Sequence, residues 1–91
     1  MPQVFKVGGY TVYFWTNEGN PLEPVHVHVG EKPRQNGTKL WLTKSGKCMI
    51  ANNNSKIPDH TLNNIVRVIE KRIDVIIKAW INKFGEISYY C

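Results

Sequence analysis

The sequence predicts an α+β fold in which a mostly antiparallel sheet of about five strands packs against one long C-terminal helix. Two observations support this prediction. The first 55 residues alternate short apolar-rich runs with turn residues, which is typical of strands. Residues 58–85 instead carry apolar side chains at spacings of three and four, which is typical of a helix. Because 91 residues suit one core, we expect a single domain over residues 1–91.

A pair of glycines marks the first hairpin. Gly8-Gly9 separates the apolar runs 4–7 and 10–16, and glycine supplies the positive φ angles of a two-residue turn. If residues 7 and 10 lie opposite each other, Phe5 faces Val12 on the core side of the sheet. Further strands are predicted at 25–29, 38–43 and 47–51, because polar loops rich in Asn, Gly and Pro separate them.

The second half of the chain predicts one helix. Its apolar stripe consists of Leu62, Ile65, Val66, Ile69, Ile73, Ile76, Ile77, Trp80 and Phe84. Pro58 and Asp59 suit the start of a helix, and Gly85 suits its end. A straight helix of about 25 residues is roughly 37 Å long. Apolar residues outside the stripe, which either widen the core face or contact a partner or a second copy, are Val68, Val75 and Ile81.

The charge of the chain is unevenly distributed. Twelve Lys and Arg face seven Asp and Glu, for a formal net charge of +5, and no acidic residue lies between Glu31 and Asp59. A segment with one sign of charge attracts phosphates, and aromatic side chains near lysines stack on the bases of single strands. A solvated basic surface and a small aromatic core are the alternatives. The residues predicted to bind nucleic acid are Lys32, Arg34, Lys44, Lys47, Lys56, Trp15 and Trp41.

The most specific motif is His26-Val27-His28. Strand alternation puts both imidazoles on one face, with Cα atoms about 6.5–7 Å apart, and the neighbouring valines on the other face. We therefore expect the valines in the core and the imidazoles accessible to solvent. The pair suits acid–base catalysis on a phosphodiester, with Lys39 of the next strand binding the phosphate. Two polar strand residues without any chemistry are the alternative.

The histidine pair also suits a metal ion if a further ligand is present. The available donors are Glu18, Glu23, Asp59 and His60. None of them lies at a spacing that identifies a metal site, so no metal is assigned.

Several function classes are disfavoured by absent motifs. The sequence has no P-loop, no Rossmann glycine pattern, no Cys-x-x-Cys pair and no Gly-x-Ser-x-Gly elbow, so we expect no cofactor. No uninterrupted apolar run approaches the ~18 residues of a membrane span, and no secretory signal is visible. Cys48 and Cys91 are too few for a disulfide framework. These features predict a cytoplasmic protein without membrane contact.

Longer blocks of the sequence resemble a known family. They are Phe-Trp-Thr-Asn-Glu-Gly-Asn-Pro-Leu-Glu-Pro-Val-His-Val-His-Val at 14–29, Lys-Leu-Trp-Leu at 39–42, Ala-Trp at 79–80 and Phe-Gly at 84–85. These blocks resemble the small bacterial family catalogued as domain of unknown function 4160, although Val25 stands where members usually have proline. The family has no established activity, and its members often lie in two-gene cassettes that resemble toxin–antitoxin modules. The resemblance implies a small protein partner encoded nearby and indicates His26 and His28 as the functional pair.

Three functions stay open from the sequence, and with them the question of whether the protein is an enzyme. The first is a toxin–antitoxin-type component that binds or acts on nucleic acid, RNA above all, with His26, His28 and Lys39 as its catalytic residues if it is an enzyme. The second is a non-catalytic protein-interaction module. The third is a metal-dependent hydrolase that uses the histidine pair.

Overall fold

A computed structural model describes residues 3–16, 21–34 and 37–91. The strands are β1 (Gln3–Val7), β2 (Tyr10–Tyr13), β3 (His26–Gly30), β4 (Thr38–Leu42) and β5 (Cys48–Asn52), and the helices are α1 (Asp59–Lys71) and α2 (Ile73–Phe84). The strands form one sheet in chain order, and each is antiparallel to the next. The predicted α+β class with an antiparallel five-stranded sheet is confirmed.

The β1–β2 hairpin has the register that its glycine pair predicts. Val7 lies opposite Tyr10 and Phe5 opposite Val12, and Gly8 has the positive φ of 58° that such a turn needs. The meander continues with Val12 opposite Val29. Apolar side chains of neighbouring strands therefore share one face of the sheet.

The prediction of one long helix is wrong, because the helix breaks at Arg72. This residue has φ −116° and ψ 25°, and its N–H is shared between the carbonyls of Val68 and Ile69 at 3.1 Å each. Its guanidinium lies 4.4 Å from the ring centroid of Phe5. A straight helix of about 37 Å would exceed the longest dimension of the described structure, 33 Å, and two shorter helices fit within it. The predicted ends are confirmed, since α1 begins at Asp59 and α2 ends before Gly85 with φ 74°.

The core lies between the helices and one face of the sheet. Its fully or almost fully buried members include Val12, Phe14, Val25, Val27, Val29, Leu40, Leu42, Leu62, Ile65, Ile69, Ile76 and Trp80. The Phe14 and Trp80 rings contact each other with centroids 5.1 Å apart. Ile73 is half-buried, while Val75 and Ile81 are exposed and do not widen the core.

The chain after α2 crosses from the helices to the other side of the sheet. The Val25 N–H donates to the Ser88 carbonyl at 2.8 Å, and the Lys44 N–H donates to the Cys91 carbonyl at 3.1 Å. These bonds bring the ring of Tyr90 onto Trp41. Residues 86–91 thus form a C-terminal segment that lies over the end of the sheet where β3 begins. Among the described residues, neither helix combines the length and the apolar character that a membrane span requires.

Candidate functional site

The histidine pair lies on the sheet face opposite the helices, but both imidazoles are buried. His26 is 0% exposed and His28 is 7% exposed. The prediction that the imidazoles are accessible is therefore wrong, while the prediction that the valines of the same strand are core is confirmed. We call this side, which carries Tyr13, His26, His28 and Trp41, the histidine face.

Both imidazoles are held by backbone carbonyls. His26 Nδ1 donates to the Pro24 carbonyl at 2.9 Å, and His28 Nδ1 lies 3.4 Å from the Gly37 carbonyl. Because a carbonyl oxygen only accepts, these contacts place a proton on Nδ1 of each ring. The two rings meet edge to face with centroids 5.3 Å apart. These contacts and the burial of both rings suit a structural role.

Tyr13 joins the histidine pair to the loop between β3 and β4. Its ring stacks on His28 at 5.5 Å, and its hydroxyl donates to the Arg34 carbonyl at 2.7 Å while accepting from the Arg34 N–H at 2.9 Å. A Cβ atom at Gly37 would clash with this hydroxyl, so the close approach of the loop requires glycine there. Burial raises the pKa of the Tyr13 phenol. Tyr13 thus anchors the loop that covers His28.

Lys39 has the predicted strand position but its ammonium has other partners. It lies opposite His28 in the β3–β4 pair. Its Nζ is 2.8 Å from Glu23 Oε1 and 4.2 Å from the centroid of the Trp41 ring. The cation is therefore neutralised by a carboxylate and packed on an indole beside the histidine pair.

The structure describes three of the four candidate metal ligands, Glu23, Asp59 and His60. Glu18 lies outside the described residues, and Glu23 binds Lys39. Asp59 and His60 are exposed at the start of α1. Within residues 3–16, 21–34 and 37–91, no group of three or more His, Cys, Asp or Glu side chains is placed to hold a metal ion.

Three of the predicted nucleic-acid-binding residues converge on one open groove at the end of the sheet where β3 ends. Lys32, Arg34 and Lys56 line this basic groove, whose volume is about 1080 Å³. Its other lining residues are Tyr10, Gly30, Glu31, Gly37, Asn54, Ser55 and Pro58. Three cations face one carboxylate there, so the groove favours an anionic ligand.

The loop after β5, which carries Lys56, is held by side-chain hydrogen bonds. Ser55 Oγ donates to the Val29 carbonyl at 3.1 Å and accepts from the Thr38 N–H at 3.1 Å. Asn53 Oδ1 accepts from Thr38 Oγ1 at 2.8 Å and from the Ile57 N–H at 3.1 Å. These bonds explain how a lysine can occupy φ +55° next to them.

The other predicted binding residues lie apart from the groove. Lys44 and Lys47 flank the β4–β5 turn at the opposite end of the sheet. Trp15 is half-buried and lies edge-on to Tyr13 at 5.6 Å, and Trp41 is half-buried under Tyr90. The segment between Glu31 and Asp59, which has no acidic residue, therefore does not form one continuous interface.

The sequence did not indicate several residues of the basic groove and the histidine face. The missed groove residues are Tyr10, Asn54 and Ser55, and the missed residue on the histidine face is Tyr90. The Asn-rich run 52–54 was visible as a loop, but its position beside the other basic loop depends on strand pairing. Nothing in the sequence places the C-terminal tyrosines near Trp41.

Among the residues that the structure describes, none activates the Cys48 thiol. Its backbone N–H donates to Glu70 Oε2 at 2.9 Å. Burial, with a further contribution from the Glu70 carboxylate, raises the pKa of its thiol to about 12. A thiol of this kind is a poor nucleophile at neutral pH.

Comparison with known proteins identifies the family. The family model described as Domain of unknown function (DUF4160) matches residues 9–81. The chain belongs to this family. Searches of curated proteins and of solved structures return no match. The DUF4160 match includes the histidine pair and the basic groove, whereas Tyr90 lies beyond its end.

Proposed function

We propose that this protein binds RNA, with the basic groove holding backbone phosphates, as a component of a toxin–antitoxin-type module. The observation that carries the proposal is the convergence of Lys32, Arg34 and Lys56 on one open groove. The place in a two-gene module rests on the family resemblance alone.

The groove draws its cations from two separate parts of the chain. Lys32 and Arg34 belong to the β3–β4 loop, and Lys56 belongs to the loop before α1. A solvated basic surface requires no such convergence, because isolated lysines keep a protein soluble equally well. Phosphate contacts of this kind supply most of the affinity in non-specific nucleic-acid binding.

The groove is organised before any ligand arrives. Ser55 ties one loop to the sheet, and Tyr13 holds the backbone of Arg34 in the other. Fixing the loops in advance lowers the conformational entropy that binding would otherwise cost. These bonds support a binding site over a mobile charged surface.

The proposal assigns no reaction to the histidine pair. An acid or base must reach the proton that it transfers, and both imidazoles are buried, His26 against Trp41 and Trp80 and His28 against Tyr13 and the β3–β4 loop. Their contacts support a role in holding the histidine face together, so the proposed module component binds RNA without cleaving it.

A protein-interaction module is the second candidate function, and a feature of β5 favours it. This strand lies at the edge of the sheet, and its Met49 and Ile50 side chains are 43% and 47% exposed. Exposed apolar edge strands can pair with a strand of a partner. Absence of RNA binding would leave this edge as the better-supported site.

The test compares two double variants that lose the same charge. K32Q/K56Q removes two groove cations, and K44Q/K47Q removes two cations at the opposite end of the sheet. Fluorescence anisotropy with a labelled single-stranded RNA is measured between about 50 and 200 mM salt. Each phosphate contact to a single strand contributes about 0.7 to the slope of log K against log salt, so the groove variant should lose about 1.4 of that slope.

The matched control decides the interpretation. K44Q/K47Q should keep the wild-type slope, because its lysines lie away from the groove. Equal losses in both variants would show that binding follows net charge and not the groove. Failure of the wild-type protein to bind at low salt would refute RNA binding altogether.

A further inference from the structure

The C-terminal segment presents an exposed aromatic ring on the histidine face. The ring of Tyr90 stacks on Trp41 with centroids 4.9 Å apart and planes within 8° of parallel. Tyr90 nevertheless keeps 57% of its surface exposed. One side of the stack is therefore supplied by the protein, and much of the outer ring remains open to solvent.

The position of this ring is fixed from both sides. The Ser88 carbonyl accepts from Val25, and the Cys91 carbonyl accepts from Lys44. The peptide that carries Tyr90 is thus tied to the sheet two residues before and one residue after it. A stacking surface held in this way loses little conformational freedom when a ligand binds.

The exposed ring suits a flat base and not a phosphate. Every base has a π face that can stack on an aromatic side chain. The cation beside the stack, Lys39 Nζ at 4.2 Å from the Trp41 centroid, is paired with Glu23 at 2.8 Å, so it leaves little positive charge for a phosphate. The phosphates of such a ligand need another site, and the basic groove supplies three cations.

The Tyr90 stack and the basic groove are connected along β4. Gly37 lines the groove, and Trp41 lies four residues further along the same extended chain. Four residues of strand span about 13 Å. A nucleic-acid strand that enters the groove therefore needs to extend only a short distance along the histidine face to reach Tyr90.

We infer that Tyr90 stacks on one unpaired base of an RNA strand whose phosphates lie in the basic groove, so that the ligand is single-stranded RNA. The inference rests on the proposed function and adds a structural class of RNA to it. A base inside a duplex is already stacked on both faces and cannot reach the ring, whereas a splayed base of a single strand can.

The experiment uses three RNA ligands of equal length: a single strand, its duplex, and an oligomer with the same phosphates but abasic sugars. Tyr90→Ala should weaken binding of the single strand roughly 5- to 150-fold, which corresponds to about 1–3 kcal/mol per stacked base. Binding of the abasic oligomer should be the same for wild type and Tyr90→Ala. Tyr90→Phe should bind the single strand like wild type, because the ring is retained.

Two further variants separate stacking from damage to the fold. Tyr90→Leu keeps an apolar side chain on Trp41 but has no π face, so it should lose single-strand affinity while retaining the wild-type melting temperature. Ile81→Ala removes another exposed apolar side chain, from α2, and should change neither RNA binding nor the melting temperature.

The outcomes distinguish this inference from the proposed function. If wild type binds none of the RNAs, the proposed function fails. If wild type binds the single strand and K32Q/K56Q weakens it, but Tyr90→Ala and Tyr90→Leu bind like wild type, only the role of Tyr90 is overturned. Equal loss of abasic and base-containing RNA in the Tyr90 variants, or tighter binding of the duplex by wild type, would also overturn it.

Discussion

Replacement of His26 tests whether the histidine pair is part of the fold or part of a reaction. The imidazole is fully buried. Its ring centroid lies 5.3 Å from that of His28 and 5.4 Å from those of both Trp41 and Trp80. It therefore joins the histidine face to the helix side of the structure. We expect His26→Ala to destabilise the protein severely.

The expected magnitude follows from these contacts. Removing a buried aromatic ring typically costs about 3–5 kcal/mol, because a cavity remains. The bond to the Pro24 carbonyl adds about 1 kcal/mol when its donor is deleted. Since a chain of this length has a total stability on the order of 5–14 kcal/mol, His26→Ala should lose about 4–6 kcal/mol and be partly or wholly unfolded.

Urea unfolding followed by tryptophan fluorescence and circular dichroism measures this loss. His26→Phe keeps the ring volume but deletes the Nδ1 donor, so it should cost less than His26→Ala and remain folded. His60→Ala is the matched control, because His60 is exposed in the first turn of α1, and it should stay within about 0.5 kcal/mol of wild type.

A small effect would refute the reasoning. If His26→Ala loses less than about 1 kcal/mol, the imidazole does not pack as the ring contacts require. The hypothesis that the pair performs acid–base catalysis would then be favoured again, since an accessible histidine can transfer protons. A folded His26→Phe variant without any change in RNA binding would leave the structural role as the explanation.

Two further predictions concern the core and the cysteines. Ile69→Ala should lower the free energy of unfolding by about 2–5 kcal/mol and Ile73→Ala by less, because Ile69 is fully buried and Ile73 half-buried; equal losses in urea unfolding would contradict the helix register. Burial raises the pKa of Cys48 to about 12 from 9.0. At pH about 8 a thiol reagent should therefore modify exposed Cys91 and spare Cys48 in the native protein. The free energy of unfolding should fall as the pH rises from about 9 towards 12, because the Cys48 thiol ionises first in the unfolded chain. Equal labelling rates in the two single Cys→Ser variants would contradict this burial.

The features that sequence reasoning predicted correctly are set by neighbouring residues. Gly8 supplies the positive φ of a hairpin turn, and the register of Phe5 opposite Val12 follows from that turn. The ends of the helical region depend in the same way on Pro58 and Gly85. Turn and helix-capping preferences depend on residues a few positions apart, so they can be applied without any knowledge of tertiary structure.

The break at Arg72 was not predictable from the apolar pattern. Ile65 and Ile69 before the break and Ile76 and Trp80 after it lie on one buried stripe, with spacings of four, seven and four. The break preserves the phase of the stripe, and no Gly or Pro marks its position. Hydrophobic periodicity reports which side of a helix is buried, and it is insensitive to a bend that keeps that side buried.

Burial of the histidine pair was hidden for a different reason. Strand alternation correctly separates His26 and His28 from the valines, but it says nothing about what covers each face. His26 packs between Trp41 and Trp80. His28 is covered by Tyr13 and by the β3–β4 loop, whose position depends on a bond between residues 21 positions apart. A sheet with apolar residues on one face and aromatic residues on the other can be covered on both faces. Whether the aromatic face is covered depends on where the loops lie.

The antiparallel meander separates the lysines that lie between Glu31 and Asp59, and this separation bears on the proposed RNA binding. Lys32 and Lys44 lie on opposite sides of β4 along the chain, and a five-residue strand is about 17 Å long. This separation is about twice the screening length of roughly 8 Å at physiological salt. Lysines at the far end can speed the approach of a polyanion at low salt, but they cannot strengthen a phosphate contact in the groove at physiological salt. Selectivity for RNA should therefore depend on the groove and its extension along the histidine face, whatever the net charge of the whole chain.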